Sequence, residues 1–222
     1  MPFTAKSGKF NASINVVEFG TGDKAVKIGG ENVFPLYSFD AAIENAPKVG
    51  IEITDFGMEH EPECIKKYYE GCATLADMAR KAASMEGVDF LSFRMEGGDP
   101  NGANKSTEEL IGELKEIADA VDLPLVVCGC KNVEKDAELF SKAAEALNGK
   151  NAVILSAKEE NYKTVGAAAG LAYKQIVGAE SAVDINLAKQ LNVLISQLGV
   201  DSKSVVMNVG TAAVGYGFEY VI

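Results

Sequence analysis

Only five residues in this 222-residue chain are cysteine or histidine, the side chains that most directly signal nucleophilic catalysis or transition-metal binding. Four are cysteines: Cys64, Cys72, Cys128 and Cys130. None falls in the paired C-x₂-C spacing of a zinc or iron–sulfur site. Cys128-Gly129-Cys130 has the form of a redox or metal pair, but two small residues ending a buried strand is the favoured reading, because free cysteine is commonly buried. His60 is the only histidine, which excludes a His-rich metal site. It sits in the acidic run Glu59-His60-Glu61-Pro62-Glu63, where a solvated loop position is expected. No P-loop, H-E-x-x-H motif or nucleophile–base pair is present. What remains is a set of Asp, Asn and Gly residues just after apolar runs. Such amides and carboxylates can hydrogen-bond a polar, planar ligand, and they can equally cap helices.

The elements that position these residues follow from periodicity. From Val49 onward, short apolar runs alternate with amphipathic stretches six times. The expected strands are 49–54, 89–94, 125–128, 152–155, 175–177 and 205–208. Helices between them carry apolar stripes such as Leu75, Met78, Ala79, Ala82 and Met85, or Leu110, Leu114, Ile117, Ala118 and Val121. The fifth carries Ile185, Ala188, Leu191, Ile195 and Leu198. Ser106-Thr107-Glu108-Glu109 fits a capping box. Strand starts at Val49, Asp89, Leu125, Ala152, Gln175 and Val205 lie about 31 residues apart on average, the spacing of a (β/α)₈ barrel. Alternation of this kind implies a parallel sheet. The rival is a doubly wound sheet with a Gly-rich nucleotide turn, and Asp55-Phe56-Gly57-Met58 does not fit that fingerprint.

The expected fold is therefore α/β: a TIM barrel cut off after about six β/α units, with an N-terminal β-hairpin extension. Residues 1–48 form the extension, with strands from Phe10 to Phe19 and Ala25 to Ile28 around Gly20-Thr21-Gly22-Asp23. Gly29-Gly30 and Pro35 then break the pattern. This hairpin is placed to plug the N-terminal mouth. Residues 49–222 form the incomplete barrel domain, whose first and last strands would leave raw parallel edges and make the isolated chain aggregation-prone or dependent on a partner.

Function in such a barrel belongs to the C-terminal ends of the strands. That rule selects Asp55 and Phe56; the loop Glu96 to Asn104; Gly129 to Asn132; Lys158 to Asn161; Asp184 and Asn186; and Asn208, Gly210 and Thr211. Helix capping is the favoured role for Asn132, Asn161 and Asp184. Asp99, Asn101 and Asn104 exceed the need of one cap, and a turn role and a ligand role stand level for them. The formal charge of −11 argues against nucleic acid. No window reaches the roughly 18 apolar residues of a membrane span, and no membrane role is expected. Met1 to Lys6 lack a secretory apolar core, so a cytoplasmic location is expected.

Several motifs occur together in one order. They are Ile28-Gly29-Gly30, Gly50 to Asp55 (G-I-E-I-T-D), Asp99 to Asn104 (D-P-N-G-A-N), and Leu123 to Val127 running on to Val133 to Asp136. Asn161-Tyr162-Lys163, Asp184 to Asn192 (D-I-N-L-A-K-Q-L-N) and Gly215 to Tyr220 (G-Y-G-F-E-Y) follow. From Gly29 onward the chain resembles the small subunit of the corrinoid iron–sulfur protein, the delta subunit of acetyl-CoA decarbonylase/synthase. The resemblance implies a (β/α)₈ barrel in a heterodimer with the corrinoid iron–sulfur protein large subunit. That subunit holds the [4Fe–4S] cluster and much of the cobamide, and the small subunit's barrel top closes over the corrinoid. Further implied partners are a methyltetrahydropterin methyltransferase, which donates the methyl group, and CO dehydrogenase/acetyl-CoA synthase, which receives it. The pathway is carbon fixation by the reductive acetyl-CoA (Wood–Ljungdahl) route. A non-catalytic subunit of a methyl-transfer complex is then favoured over a stand-alone methyltransferase. The expected cofactor contacts are Asp99, Asn101, Asn104, Asp184, Asn186, Asn208 and Tyr216, with no catalytic or metal-ligating residue. Two alternatives stay open: a pterin-binding methyltransferase using the Asp99 loop, Asp184 and Asn208, and a purely structural barrel subunit. The family's small subunit continues through two more strands and helices, so the chain is expected to be about three-quarters of that subunit, halted inside G-Y-G-F-E-Y.

Overall fold

The computed structural model describes Gly8, residues 11–33, Asp40 and residues 43–218. Met1 to Lys6, Phe10, Pro35, Glu219 and Tyr220, which carried expectations above, lie outside the described residues. Two short antiparallel strands, β1 (Val17–Phe19) and β2 (Val26–Ile28), form the expected hairpin in the register Val17↔Ile28 and Phe19↔Val26. Its turn tightens into one 3₁₀ turn at Gly22–Lys24.

Six parallel strands follow: β3 (Gly50–Thr54), β4 (Phe90–Arg94), β5 (Leu125–Cys128), β6 (Val153–Ala157), β7 (Ile176–Glu180) and β8 (Val205–Asn208). They pair strictly in chain order. A doubly wound sheet reverses its strand order at a switch point, so this order excludes that rival. Crossovers between parallel neighbours are right-handed as a rule, which places the connecting helices on one face. Those helices are α1 (Glu63–Tyr68), α2 (Leu75–Ala83), α3 (Thr107–Ala120), α4 (Val133–Ala146), α5 (Tyr162–Val165) and α6 (Ile185–Gln197). Between β6 and β7 the chain is helical from Tyr162 to Ala172, and Gly166–Ala172 winds as a π-helix. Gly166 and Gly170 there pack against Leu198 and Val200, which leaves no room for side chains.

The strands divide their side chains between two faces, as period-2 geometry requires. Ile53, Leu91, Phe93, Val127, Ile154 and Val177 face the helices and join Leu110, Leu114, Ile117, Leu139, Phe140, Leu191 and Ile195 in the main core. Ile185 does not join them: it is exposed in the first turn of α6. The opposite sheet face receives the hairpin. Val17, Phe19 and Val26 cluster with Phe90, Val126, Val153, Ile176 and Val206, one residue from each of five strands. Phe19 meets Phe90 edge-on at 5.7 Å. Asn151 fastens the hairpin, its Nδ2 donating to the Glu18 carbonyl at 2.9 Å and the Gly20 carbonyl at 3.2 Å.

Helix starts show which capping expectations hold. The Ser106 hydroxyl accepts from the Glu109 amide at 3.2 Å, but no return bond from Glu109 is present, so the expected box is only half made. A complete box forms instead at Thr74 and Asp77. Asn132 caps α4 through the Lys135 amide, and Asp184 caps α6 through the amides of Asn186 and Leu187. Asn161 does not cap. Its Oδ1 accepts from the Lys158 amide at 2.7 Å, tying off the loop before α5.

Candidate functional site

The hairpin covers the sheet's inner face near the N-terminal ends of the strands. Beyond it, toward their C-terminal ends, the same face opens into a cavity of about 560 Å³. Arg94, Cys128, Leu155, Glu180 and Asn208 line it, one from each of β4 to β8. Register aligns Arg94 with Cys128, Cys128 with Leu155, and Glu180 with Asn208. A register shift between Leu155 and Ala157 turns Ser156 into the cavity as well. The loops add Gly129, Lys131, Asp136, Lys158, Gly210 and Thr211.

Two ion pairs run across this face. Arg94 donates from Nε and Nη2 to the two Glu52 oxygens at 2.9 and 2.8 Å, a fork-to-fork pair joining β4 to β3. The Glu52 hydrogen bond holds the guanidinium above its ordinary pKa. Lys158 lies 3.4 Å from Glu180, joining the loop after β6 to β7. Between the pairs, Ser92 and Cys128 meet at 3.5 Å, and burial pushes the Cys128 thiol up, so the thiol is neutral. The lining thus offers donors and acceptors in nearly balanced charge, inside a protein of formal charge −11.

Buried carboxylates set the loops around the cavity. Asp136, 5% exposed, accepts from the Cys130 amide at 2.7 Å and from the Cys130 thiol at 3.2 Å. A side chain at Gly129 would collide with the Asp136 carboxylate, so this turn needs glycine. Burial raises the pKa of Asp136 and pushes the Cys130 thiol up to about 11. Asp55 plays the same part after β3. Its side chain is fully buried and accepts the Gly97 amide on both oxygens at 2.9 and 3.1 Å. Lys105 reaches the Asp55 carboxylate at 3.0 Å, the Asp55 carbonyl at 2.9 Å and Glu113 at 3.2 Å. Burial works against the Lys105 charge, but these bonds outweigh it and hold its pKa above the usual value. Burial likewise raises the Glu113 carboxyl.

Of the seven residues nominated from sequence, the cavity contains one. Asn208 lines it, with Oδ1 accepting from the Gly210 amide at 3.1 Å. Asp99 is a turn former: its Oδ1 accepts from the Asn101 amide at 2.9 Å, and its carbonyl accepts from Gly102 and Asn104. Asn101 and Asn104 are exposed, and Asn104 takes a left-handed φ of 51°. Asp184 is committed to its cap, Asn186 is exposed, and Tyr216 is 86% exposed. His60 is exposed as expected, edge-on to Phe56 at 4.8 Å, and Cys128 and Cys130 are buried and free. No group of three or more potential metal ligands occurs among the described residues, and no described helix is long and apolar enough to cross a membrane.

The sequence rule missed Glu52 and Arg94 because it looked past the strand ends, and it missed Glu180 because the strand was expected to stop at Val177. A signal was available. Glu52 and Arg94 are charged residues within expected apolar strands, and Ser92 and Arg94 show the two-residue spacing of one face.

Residues 16–222 match the family model described as the CO dehydrogenase/acetyl-CoA synthase delta subunit. Among similar proteins is the acetyl-CoA decarbonylase/synthase complex subunit delta of Methanothermobacter thermautotrophicus, 32% identical over 209 residues, 93% of this chain and 53% of that protein. The subunit delta of Methanocaldococcus jannaschii is 32% identical over 222 residues, covering 96% of this chain and 54% of that protein. That of Methanopyrus kandleri is 32% identical over 205 residues, covering 91% and 50%. The chain spans about half the length of the curated relatives it matches. With a match over nearly all of its length and relatives of one name throughout, the chain belongs to the CO dehydrogenase/acetyl-CoA synthase delta subunit family, the small subunits of corrinoid iron–sulfur proteins.

Proposed function

We propose that this chain is the corrinoid-capping subunit of a methyl-carrier heterodimer and that the cavity at the C-terminal ends of β4 to β8 is its capping surface. The observation that carries this reading is the lining itself: paired charges, hydroxyls and an amide on one open face, without a nucleophile–base pair. A corrin ring is edged by amide side chains that both donate and accept hydrogen bonds. Arg94, Ser156, Lys158 and Thr211 provide donors for that edge, while Glu180 provides an acceptor. An open cavity of about 560 Å³ covers one side of such a macrocycle rather than enclosing it, which suits a cap shared with a second subunit. When bound, the corrinoid supplies the methyl-carrying metal centre. This chain's residues orient the ring edge and exclude water from its face. In this scheme the large subunit brings the [4Fe–4S] cluster and most of the cobamide contacts. The methyl group comes from a methyltetrahydropterin methyltransferase and leaves to the acetyl-CoA synthase.

The same reading takes residues 49–222 as part of a (β/α)₈ barrel and residues 1–48 as its extension. Sequential parallel order supports it, as does the cluster that joins one three-residue hairpin to five strands, which calls for a sheet curled around the hairpin.

Mixing this chain with the corrinoid-bearing large subunit tests the function. Corrin absorbance should co-elute with the heterodimer, and Arg94→Met with Glu180→Gln should weaken corrinoid retention about tenfold, from two lost polar contacts. Tight binding of methyltetrahydrofolate by the chain alone, with no effect on the corrinoid, would favour the pterin-enzyme alternative instead.

A further inference from the structure

The loops that leave β3 and β4 are fastened by one ammonium, away from the cavity. Lys105 Nζ lies 3.0 Å from the Asp55 carboxylate and donates to the Asp55 carbonyl at 2.9 Å and to Glu113 Oε1 at 3.2 Å. An ammonium has three hydrogens, and these contacts use them all. The two carboxylates are not alike. Asp55 is satisfied, because both of its oxygens also accept the Gly97 amide. Glu113 has only the bond to Lys105, and its Oε2 is buried with no hydrogen-bond partner among the described residues. One cation therefore stands between two acids, and one of the acids has a bare oxygen. The surrounding charges do not correct this. Besides Asp55 and Lys105, the charge that bears on Glu113 is Glu109, one turn earlier on α3 and also negative. On α2, Arg80 is paired with Asp77, and Lys81 is turned to the Tyr68 ring and the Glu70 carbonyl. On α4, Lys135 is held by Thr107 and Glu138, and Lys142 by Glu145. In the loops, His60 lies against the Phe56 ring, and Asp99 is turned to the Asn101 amide. A buried ionised oxygen without a donor loses its hydration and gains nothing in return, so the cluster favours a proton at that oxygen.

We propose that Glu113 is a proton switch for the loops after β3 and β4. With the proton on Glu113 Oε2, Lys105 and Asp55 form a neutral pair that locks the two loops together. With the proton released to solvent, the cluster carries one uncompensated negative charge. Glu113, with 22% of its side chain exposed, then turns to water and takes one of the three bonds from Lys105. That loosens the neck of the loop from Gly97 to Lys105, which the Lys105 amide closes on the Gly97 carbonyl at 2.8 Å. Burial raises the Glu113 carboxyl, so folding favours its protonated form. That contribution to stability is complete below the ordinary glutamate range and is lost as pH rises through the folded-state value.

Glu113→Gln keeps the shape of the side chain and fixes the neutral form. Urea titration of the full chain, followed by circular dichroism from about pH 4 to about pH 8, compares it with the wild type. The variant's midpoint should match the wild type's at the acid end and rise above it as pH increases. An ordinary ion pair predicts the reverse, because the variant would lose a charged partner of Lys105. A variant midpoint below the wild type's at the alkaline end, or an offset that does not change with pH, overturns the proposal. Hydrogen exchange reads the loops directly. Protection of the Gly97 and Lys105 amides, corrected for the intrinsic rate at each pH, should fall in the wild type over this range and stay level in Glu113→Gln. The same pH course in both proteins overturns the switch.

Discussion

Asp55, Lys105 and Glu113 show what a buried charge does in this protein. Lys105 bridges two carboxylates, one of them fully buried, and so holds the end of β3 to the loop that leaves β4. Removing the ammonium leaves two carboxylates in a poorly hydrated place, which costs far more than the ion pair itself contributes. Lys105→Met should lower unfolding free energy by about 3 kcal/mol in urea titration, and adding Asp55→Asn should recover part of it. A second expectation concerns pH. The folded Cys130 thiol has its pKa raised by burial to about 11, from 9.0. Folding therefore favours the protonated thiol, and that contribution is complete below about pH 9 and is lost as pH rises toward 11. The thermal midpoint should fall over this range, with a shallower fall in Cys130→Ala. At this scale the sequence was partly legible. Asn208, Asp184 and Asn132 have jobs at strand ends and helix starts, as their positions imply. Asp99 forms a turn through its side chain and its carbonyl, while the side chains of Asn101 and Asn104 stay exposed on that loop.

The elements themselves were legible to within a few residues, because apolar periodicity is local. β5 and β8 have the expected bounds, while β7 runs on to Glu180, past the expected end at Val177. That extension matters, since it brings Glu180 into the sheet and into reach of Lys158. The short helix Glu63–Tyr68 was not expected; it has no buried residue and so leaves no apolar stripe to read. Capping was misjudged in one place. Ser-Thr-Glu-Glu at 106–109 has the letters of a box, yet only the hydroxyl half forms, whereas Thr74 and Asp77 make both bonds. Thr74→Ala should therefore destabilise the protein by about 1 kcal/mol, with Ser106→Ala costing less, as chemical denaturation at constant m-value would show.

Across the whole molecule, the hairpin and the cavity share one sheet face, apolar toward one end and polar toward the other. Asn151 and the Phe19–Phe90 contact hold the hairpin there, so the cavity is approached from the C-terminal side of the strands. β3 and β8 lie at the two ends of the six-strand order. Val49 beside β3 is 56% exposed, and Met207 and Val209 at β8 are 39% and 38% exposed. Parallel edges that have no partner strand among the described residues, and that carry apolar side chains, invite association. The 222-residue polypeptide should self-associate with rising concentration in sedimentation velocity, and addition of the large subunit should suppress this. A monomer at all concentrations would count against it. The sequence alone determined the alternation of strands and helices, the parallel sheet and the family, because periodicity and motif order are properties of the chain read in one dimension. Only the tertiary structure decided the site. Glu52 and Arg94 stand 42 residues apart, and their pairing does not follow from local pattern. Which charges meet depends on strand register, and register is fixed by pairing between strands distant in sequence, which no local pattern specifies.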